Sequence, residues 1–219
     1  MRLGRLLAVG AGVVAARYVL REVRTSPGAP ALERTNFRGR TVTLAAGPAL
    51  AVGAATAGAL GAGSAPAGAA ALLAGVGAGT VGLYDDIVGA RPEQKTAKGF
   101  AGHLAALREG RVTAGLVKIV GVGAAGLGAA ALLAADRRVA AHPRRQRAGV
   151  LGRGLDVLLG AGVVAGTANL VNLLDLRPGR ALKAGMLLGA PLSTGPTGGS
   201  PRALSVPPPG WSERTSTSG

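Results

Sequence analysis

From Val112 to Ala135 the chain runs through Ala, Gly, Val, Leu and Ile, interrupted only by Thr113 and one charge, Lys118. Two further stretches, 41–63 and 65–84, contain no charged residue at all. A run of about 20 apolar residues matches the hydrocarbon thickness of a bilayer. Inside that layer every backbone amide must be satisfied within the segment itself, which selects helices. Charge crowds into the short segments between these runs, as it does in proteins that cross a membrane repeatedly. The expected fold is therefore all-α: a polytopic membrane helix bundle of about five transmembrane helices plus a short C-terminal helix.

Spans are expected at about 3–20, 41–63, 65–84, 112–135 and 150–174. The first follows Arg2 and Arg5, and its apolar core, Leu6 to Ala16, is short enough to resemble a signal peptide ending in Val14-Ala15-Ala16. The spans that follow favour an uncleaved anchor. Pro66 and its small neighbours fit a tight hairpin between the second and third spans. The fifth is less clean, with Arg153 and Asp156 inside it, and 181–192 is too short to cross. Residues 1–192 read as the transmembrane domain. Residues 193–219, rich in Ser, Thr, Pro and Gly, bury too little apolar surface to offset their ordering entropy and read as a disordered tail.

Basic residues set the orientation. Alternate loops place fourteen on one side: Arg17, Arg21, Arg24, Arg34, Arg38, Arg40, Arg91, Lys95, Lys98, Arg108, Arg111, Arg177, Arg180 and Lys183. The other side holds eight, at Arg2, Arg5, Arg137, Arg138, Arg144, Arg145, Arg147 and Arg153. The richer side is expected to be cytoplasmic, with the Arg cluster at 137–153 as the exception to a clean rule. Only four of the 25 basic residues are lysines, and this Arg, Ala and Gly excess points to a GC-rich bacterial genome. The chain has no Cys, so disulfides and thiolate metal sites are excluded. Nucleic-acid binding is disfavoured, because the basic residues are divided among loops and five aromatics are too few to stack bases.

The 38 glycines suit close helix approach in lipid. Gly75 and Gly79, and Gly162 and Gly166, stand in small-xxx-small spacing. Packing within one bundle is the first reading, and a homodimer face the second. Gly121-Val122-Gly123-Ala124-Ala125-Gly126 matches a dinucleotide-binding G-x-G-x-x-G. The acidic residue expected about 20 positions later is missing, since Asp136 comes too early and Arg137-Arg138 follows it. The match reads as chance in an Ala- and Gly-rich chain.

The ten acids carry more information because they are scarce. Asp85 and Asp86 close the third span, and adjacent carboxylates at a membrane edge suit Mg²⁺ held with a substrate phosphate, or one acting as a base. The bland alternative is a pair of solvated acids, at a helix end whose dipole disfavours them. Asn169, Asn172 and Asp175 recur every three residues at the end of the fifth span, along one helix face. Inter-helix hydrogen bonding explains them as well as a site does. Lys118 is placed to snorkel toward the same side, where it either meets a diphosphate or neutralises the aspartates. His103 lies among Lys95, Lys98, Arg108 and Arg111, charges that suit either anionic lipid or substrate. His142 has no argued role.

The segments Gly82-Leu83-Tyr84-Asp85-Asp86, the Lys118 helix and Asn169-Leu170-Val171-Asn172-Leu173-Leu174-Asp175 occur in the order found in one family. Over roughly residues 1–190 the chain resembles the polyprenyl-phosphate sugar-1-phosphate transferases, which include phospho-N-acetylmuramoyl-pentapeptide transferase. The resemblance implies Mg²⁺-dependent transfer from a UDP-sugar to undecaprenyl phosphate at the cytoplasmic face of a bacterial cell membrane, releasing UMP. It implies that Asp85 and Asp86 are catalytic and lie at the metal, and that Asn172, Asp175 and Lys118 bind the nucleotide sugar. The family's N-L-x-D-G-x-D-G segment reads here Asn172-Leu173-Leu174-Asp175-Leu176-Arg177-Pro178-Gly179, with Pro178 in place of the second aspartate. Family members continue through further helices with another metal-binding aspartate and a histidine-bearing loop. The expectation is therefore a C-terminally truncated relative, inactive if those parts are required. A non-catalytic packing or assembly subunit is the alternative, and a small transporter would need more polar residues within the spans.

Overall fold

Four of the apolar runs form helices long enough to cross a bilayer in the computed structural model, which describes residues 2–36, 38–91, 99–136, 149–174, 180 and 183–187. They are α1 (Arg2–Thr25), α3 (Ala65–Val88), α5 (Ala114–Ala135) and α6 (Val150–Leu174). A shorter apolar helix, α2 (Ala46–Gly61), follows α1, and α4 (Gly99–Arg108) lies between α3 and α5. The chain is a multi-pass, all-α membrane bundle. The expected tail at 193–219, the cluster Arg137–Arg147 and Asp175 lie outside the described residues.

Two boundaries differ from expectation in ways that matter for the site. The apolar run at 41–63 is not one helix: Thr41–Thr43 pairs antiparallel with Glu33–Thr35 as strands β2 and β1. Thr41-Val42-Thr43 is β-branched throughout and favours extended backbone. Asn36 closes this hairpin, its side-chain Oδ1 accepting from the Arg38 and Arg40 amides, and Gly39 takes φ +72°. The 16 residues left to α2 span about 24 Å, short of a hydrocarbon layer of about 30 Å. Helix α3, by contrast, continues past Tyr84 to Val88, so Asp85 and Asp86 belong to its last turn.

Helix starts follow side-chain caps. Ser64 Oγ accepts from the Ala67 amide with Pro66 in the first turn of α3, and Thr113 Oγ1 accepts from the Leu116 amide at α5. The segment 84–111 was expected to be a loop, and α4 within it is a correction. Its apolar Ala101, Leu104, Ala105 and Leu107 recur at the three- and four-residue spacing of a helix face. Gly110 (φ +74°) ends it, with the Arg111 amide donating to the Ala106 carbonyl in a Schellman arrangement.

The helices pack in chain order, α1 on α2, α2 on α3, α3 on α5 and α5 on α6. Small residues line each seam. A Cβ on Gly12 would stand 2.6 Å from the Gly53 carbonyl oxygen, and one on Gly53 would stand 2.7 Å from that of Gly12. Gly75 and Gly79 abut Ala55 and Ala51, so this small-xxx-small pair is spent within the chain. Gly162 and Gly166 have nothing within 4 Å. The G-x-G-x-x-G run lies inside α5, not at a strand-to-helix turn: Gly121 admits Val81 of α3 and Gly126 admits the backbone of Ala161 in α6.

The buried apolar residues are alanines, with Leu32 the one exception among the described residues. Leucines point outward instead, as at Leu6 (69% exposed) and Leu151 (89% exposed). In water this arrangement would leave the driving force for folding unused. In lipid it is the expected one, because apolar side chains gain nothing by leaving the hydrocarbon and close backbone packing holds the helices.

Candidate functional site

The α3–α5 seam runs as an antiparallel ladder of small contacts, Gly77 on Ala125 and then Val81 on Gly121. One turn further along α3 is Asp85, and nearly one turn back along α5 is Lys118. Because Gly121 has no side chain, the two helices are close enough there for a direct ion pair. Lys118 Nζ donates to Asp85 Oδ2 at 2.8 Å. The α5–α6 seam, closed by Gly126 against Ala161 and Gly160 against Ala130, delivers a third partner. Lys118 Nζ also donates to Asn172 Oδ1 at 3.2 Å.

Three helices therefore meet at one ammonium, and the residues they contribute were all singled out from sequence. Lys118 and Asp85 side chains are 33% and 28% exposed, so the pair is open to the aqueous boundary without being fully solvated. Of the two open readings for Lys118, neutralising an aspartate is the one seen. The Asn169 side chain, one turn before that of Asn172, makes no hydrogen bond among the described residues, and Asp175 lies outside them. His103 sits apart from the cluster: its Nδ1 shares a hydrogen bond with Thr113 Oγ1 at 2.9 Å, and its ring rests against Gly115 at the start of α5.

Sequence reasoning counted Arg34 among loop charges and missed its place. Its Nη2 donates to the Asp86 carbonyl at 2.6 Å, while Nη1 donates to the Ala31 and Glu33 carbonyls at 2.9 and 2.7 Å. One guanidinium thus ties the β1–β2 hairpin to the C-terminal turn of α3, where a cation also complements the helix dipole. No local motif marks Arg34, because its partner is a backbone carbonyl 52 residues away. The contact also fixes geometry: the hairpin after α1 and the end of α3 lie at the same end of the bundle, so α2 returns the chain despite its length. At the opposite end Ser64 donates to the Asp136 carboxylate, joining the α2–α3 turn to the end of α5.

The donor set of the cluster is hard oxygen, from the Asp85 carboxylate and the Asn172 amide, with Asp86 adjacent in sequence. An ammonium bridging two such oxygens marks a place where a cation is stabilised. Mg²⁺ takes ligands of this kind, typically one or two carboxylates completed by water and phosphate. Asp85 supplies one such carboxylate, and among the described residues no three His, Cys, Asp or Glu side chains gather. No protein-family model matches the chain, and no curated protein or solved structure is detectably similar to it.

Proposed function

We propose that this chain is a membrane-embedded phosphotransfer protein of bacterial envelope synthesis, handling a sugar-1-phosphate and a polyprenyl phosphate at its Asp85–Lys118–Asn172 end. The observation that carries the reading is the single ammonium shared between α3 and α6, at the edge of the apolar layer. A lipid-linked phosphate presents itself at that depth, with its chain in the bilayer and its charge at the boundary.

In the proposed reaction a lipid phosphate oxygen bonds to the sugar-bearing phosphorus of a UDP-sugar. The bond from that phosphorus to the bridging oxygen breaks, and UMP leaves with the electron pair. Two anions must be brought together, so positive charge has to offset their repulsion. Lys118 supplies it, donating to the phosphates in place of Asp85. Asp85 and Asp86 would hold the ion, which supplies further charge neutralisation when bound. Asn172, at 3.2 Å from Lys118, orients the ammonium between these partners.

The test is UMP release by the purified full chain given undecaprenyl phosphate, labelled UDP-sugars and Mg²⁺. Release abolished by Asp85→Asn or Asp86→Asn supports the enzyme; no release with any donor overturns it. The second reading, a non-catalytic packing or assembly subunit, is favoured by the ion pair itself, which already satisfies Asp85 within the bundle. On that reading Gly162 and Gly166, open on α6, form the face for a second copy.

A further inference from the structure

Arg17, Arg21 and Arg24 follow one another at intervals of four and three on α1. That spacing sends all three guanidiniums out within an arc of about 60°, spread over about 10 Å of helix. With Leu20 and Thr25 they line a shallow groove of about 340 Å³. All three are exposed, and among the described residues none of the three guanidiniums has a hydrogen-bond or ion-pair partner. Glu22, the helix's one acid, projects about 100° away from Arg21.

The same helix meets α2 through Gly12 and Ala16, positions turned well away from this arc. The groove consequently opens outward, away from the bundle. Below the arginines the arc continues as Val13, Gly10, Leu6 and Leu3. Leu3, Leu6 and Val13 are 70%, 69% and 49% exposed, and Gly10 has nothing within 4 Å. Tyr18, 64% exposed, sits at the level where charge gives way to hydrocarbon. The face is thus cationic at one end and apolar along the rest of its length, in a helix of bilayer length.

We infer that this face is a binding site for an anionic phospholipid. Its phosphate lies among Arg17, Arg21 and Arg24, and its acyl chains run along Leu3, Leu6 and Val13. Three guanidiniums without a facing carboxylate select a headgroup of net negative charge over a zwitterionic one. Each arginine near an anionic surface contributes roughly fivefold in binding, so the three together bound the effect at about a hundredfold. The site is separate from the Asp85–Lys118–Asn172 cluster and stands whether or not that cluster transfers phosphate.

The experiment is native mass spectrometry of the full chain in detergent, titrated with phosphatidylglycerol or phosphatidylcholine. The wild type is expected to retain phosphatidylglycerol at least tenfold better. Arg17→Gln/Arg21→Gln/Arg24→Gln abolishes that preference, and Arg17→Lys/Arg21→Lys/Arg24→Lys, which keeps the charge, preserves most of it. Arg38→Gln/Arg40→Gln, which removes two exposed arginines from the β1–β2 hairpin, leaves it unchanged. Three results would each overturn the inference: preference surviving the triple Gln variant, an equal loss in the control, or displacement of the lipid by millimolar inorganic phosphate.

Discussion

Replacing Lys118 by Met keeps most of the side-chain volume and removes the one charge that joins three helices. At 2.8 Å the gross attraction to Asp85 is about 6 kcal/mol at an effective dielectric of 20, and about 1.5 kcal/mol at that of water. Desolvation and side-chain entropy offset most of it. Exposed pairs retain about 0–1 kcal/mol, while breaking buried ones costs about 3–5. With both side chains about a third exposed, the net coupling should fall between these limits, at about 1–2 kcal/mol. The measurement is a double-mutant cycle over Lys118→Met and Asp85→Asn, read by reversible unfolding in mixed micelles. Lys118→Met alone should cost more than the coupling, because it strands the Asp85 carboxylate at the bundle edge. The double variant should recover part of that loss. A coupling below about 0.3 kcal/mol, within the error of additive sites, would refute the claim that this ion pair ties α3 to α5.

The other predictions concern what holds that end of the bundle in place. Gly75→Val should destabilise the protein by about 1–3 kcal/mol, since its Cβ would stand 2.8 Å from that of Ala55. Gly162→Val, with open space around it, should not overpack and should cost well under 1 kcal/mol; unfolding of the two variants side by side checks the contrast. Arg34→Ala removes the link between hairpin and α3, and trypsin should then cut after Arg38 or Arg40 several-fold faster, with the global midpoint little changed. Thr113→Ala removes both the α5 cap and the partner of His103. It should cost about 1–2 kcal/mol in the same unfolding assay, where Thr113→Ser should cost much less.

The sequence made the helices legible because each long apolar run has one physical solution in a bilayer, and each of the four spanning helices is built on one of those runs. It misjudged 41–43, where hydropathy treats Thr41-Val42-Thr43 as continuous with the alanines that follow. Its pairing with Glu33–Thr35 across a tight turn is carried by turn residues and β-branching, which hydropathy does not encode. Asp85, Lys118 and Asn172 were legible for a different reason: a charge or amide at the end of an apolar run is expensive, so it stands out individually. What spacing along one chain did not reveal was the register between helices. That register is carried by glycines whose role depends on the residue opposite. Gly121 and Gly123 look alike in sequence, yet Gly121 lies under Val81 and Gly123 faces open space.

The alanine interior gives the site its particular character. A bundle held by large interlocking side chains resists sliding, because each knob must leave its hole before a neighbour can move. Here no large side chain is fully buried among the described residues, and the seams are Gly-on-Ala contacts. Such seams fix the distance between helices more firmly than their relative height. Height at the α3–α5–α6 end is instead set by polar contacts: Lys118 on Asp85 and Asn172, and Arg34 on the Asp86 carbonyl. A ligand that draws Lys118 off Asp85 would therefore loosen the register of α3 against α5 along with the local charge. Cross-linking between Cys introduced at Val81 and Gly121, where a Cβ on Gly121 would stand 3.6 Å from that of Val81, gives that motion a readout independent of turnover. Polyprenyl phosphate with Mg²⁺ should slow the cross-link in the wild type and leave the Lys118→Met rate unchanged. Equal slowing in both would mean that the register does not depend on the lysine.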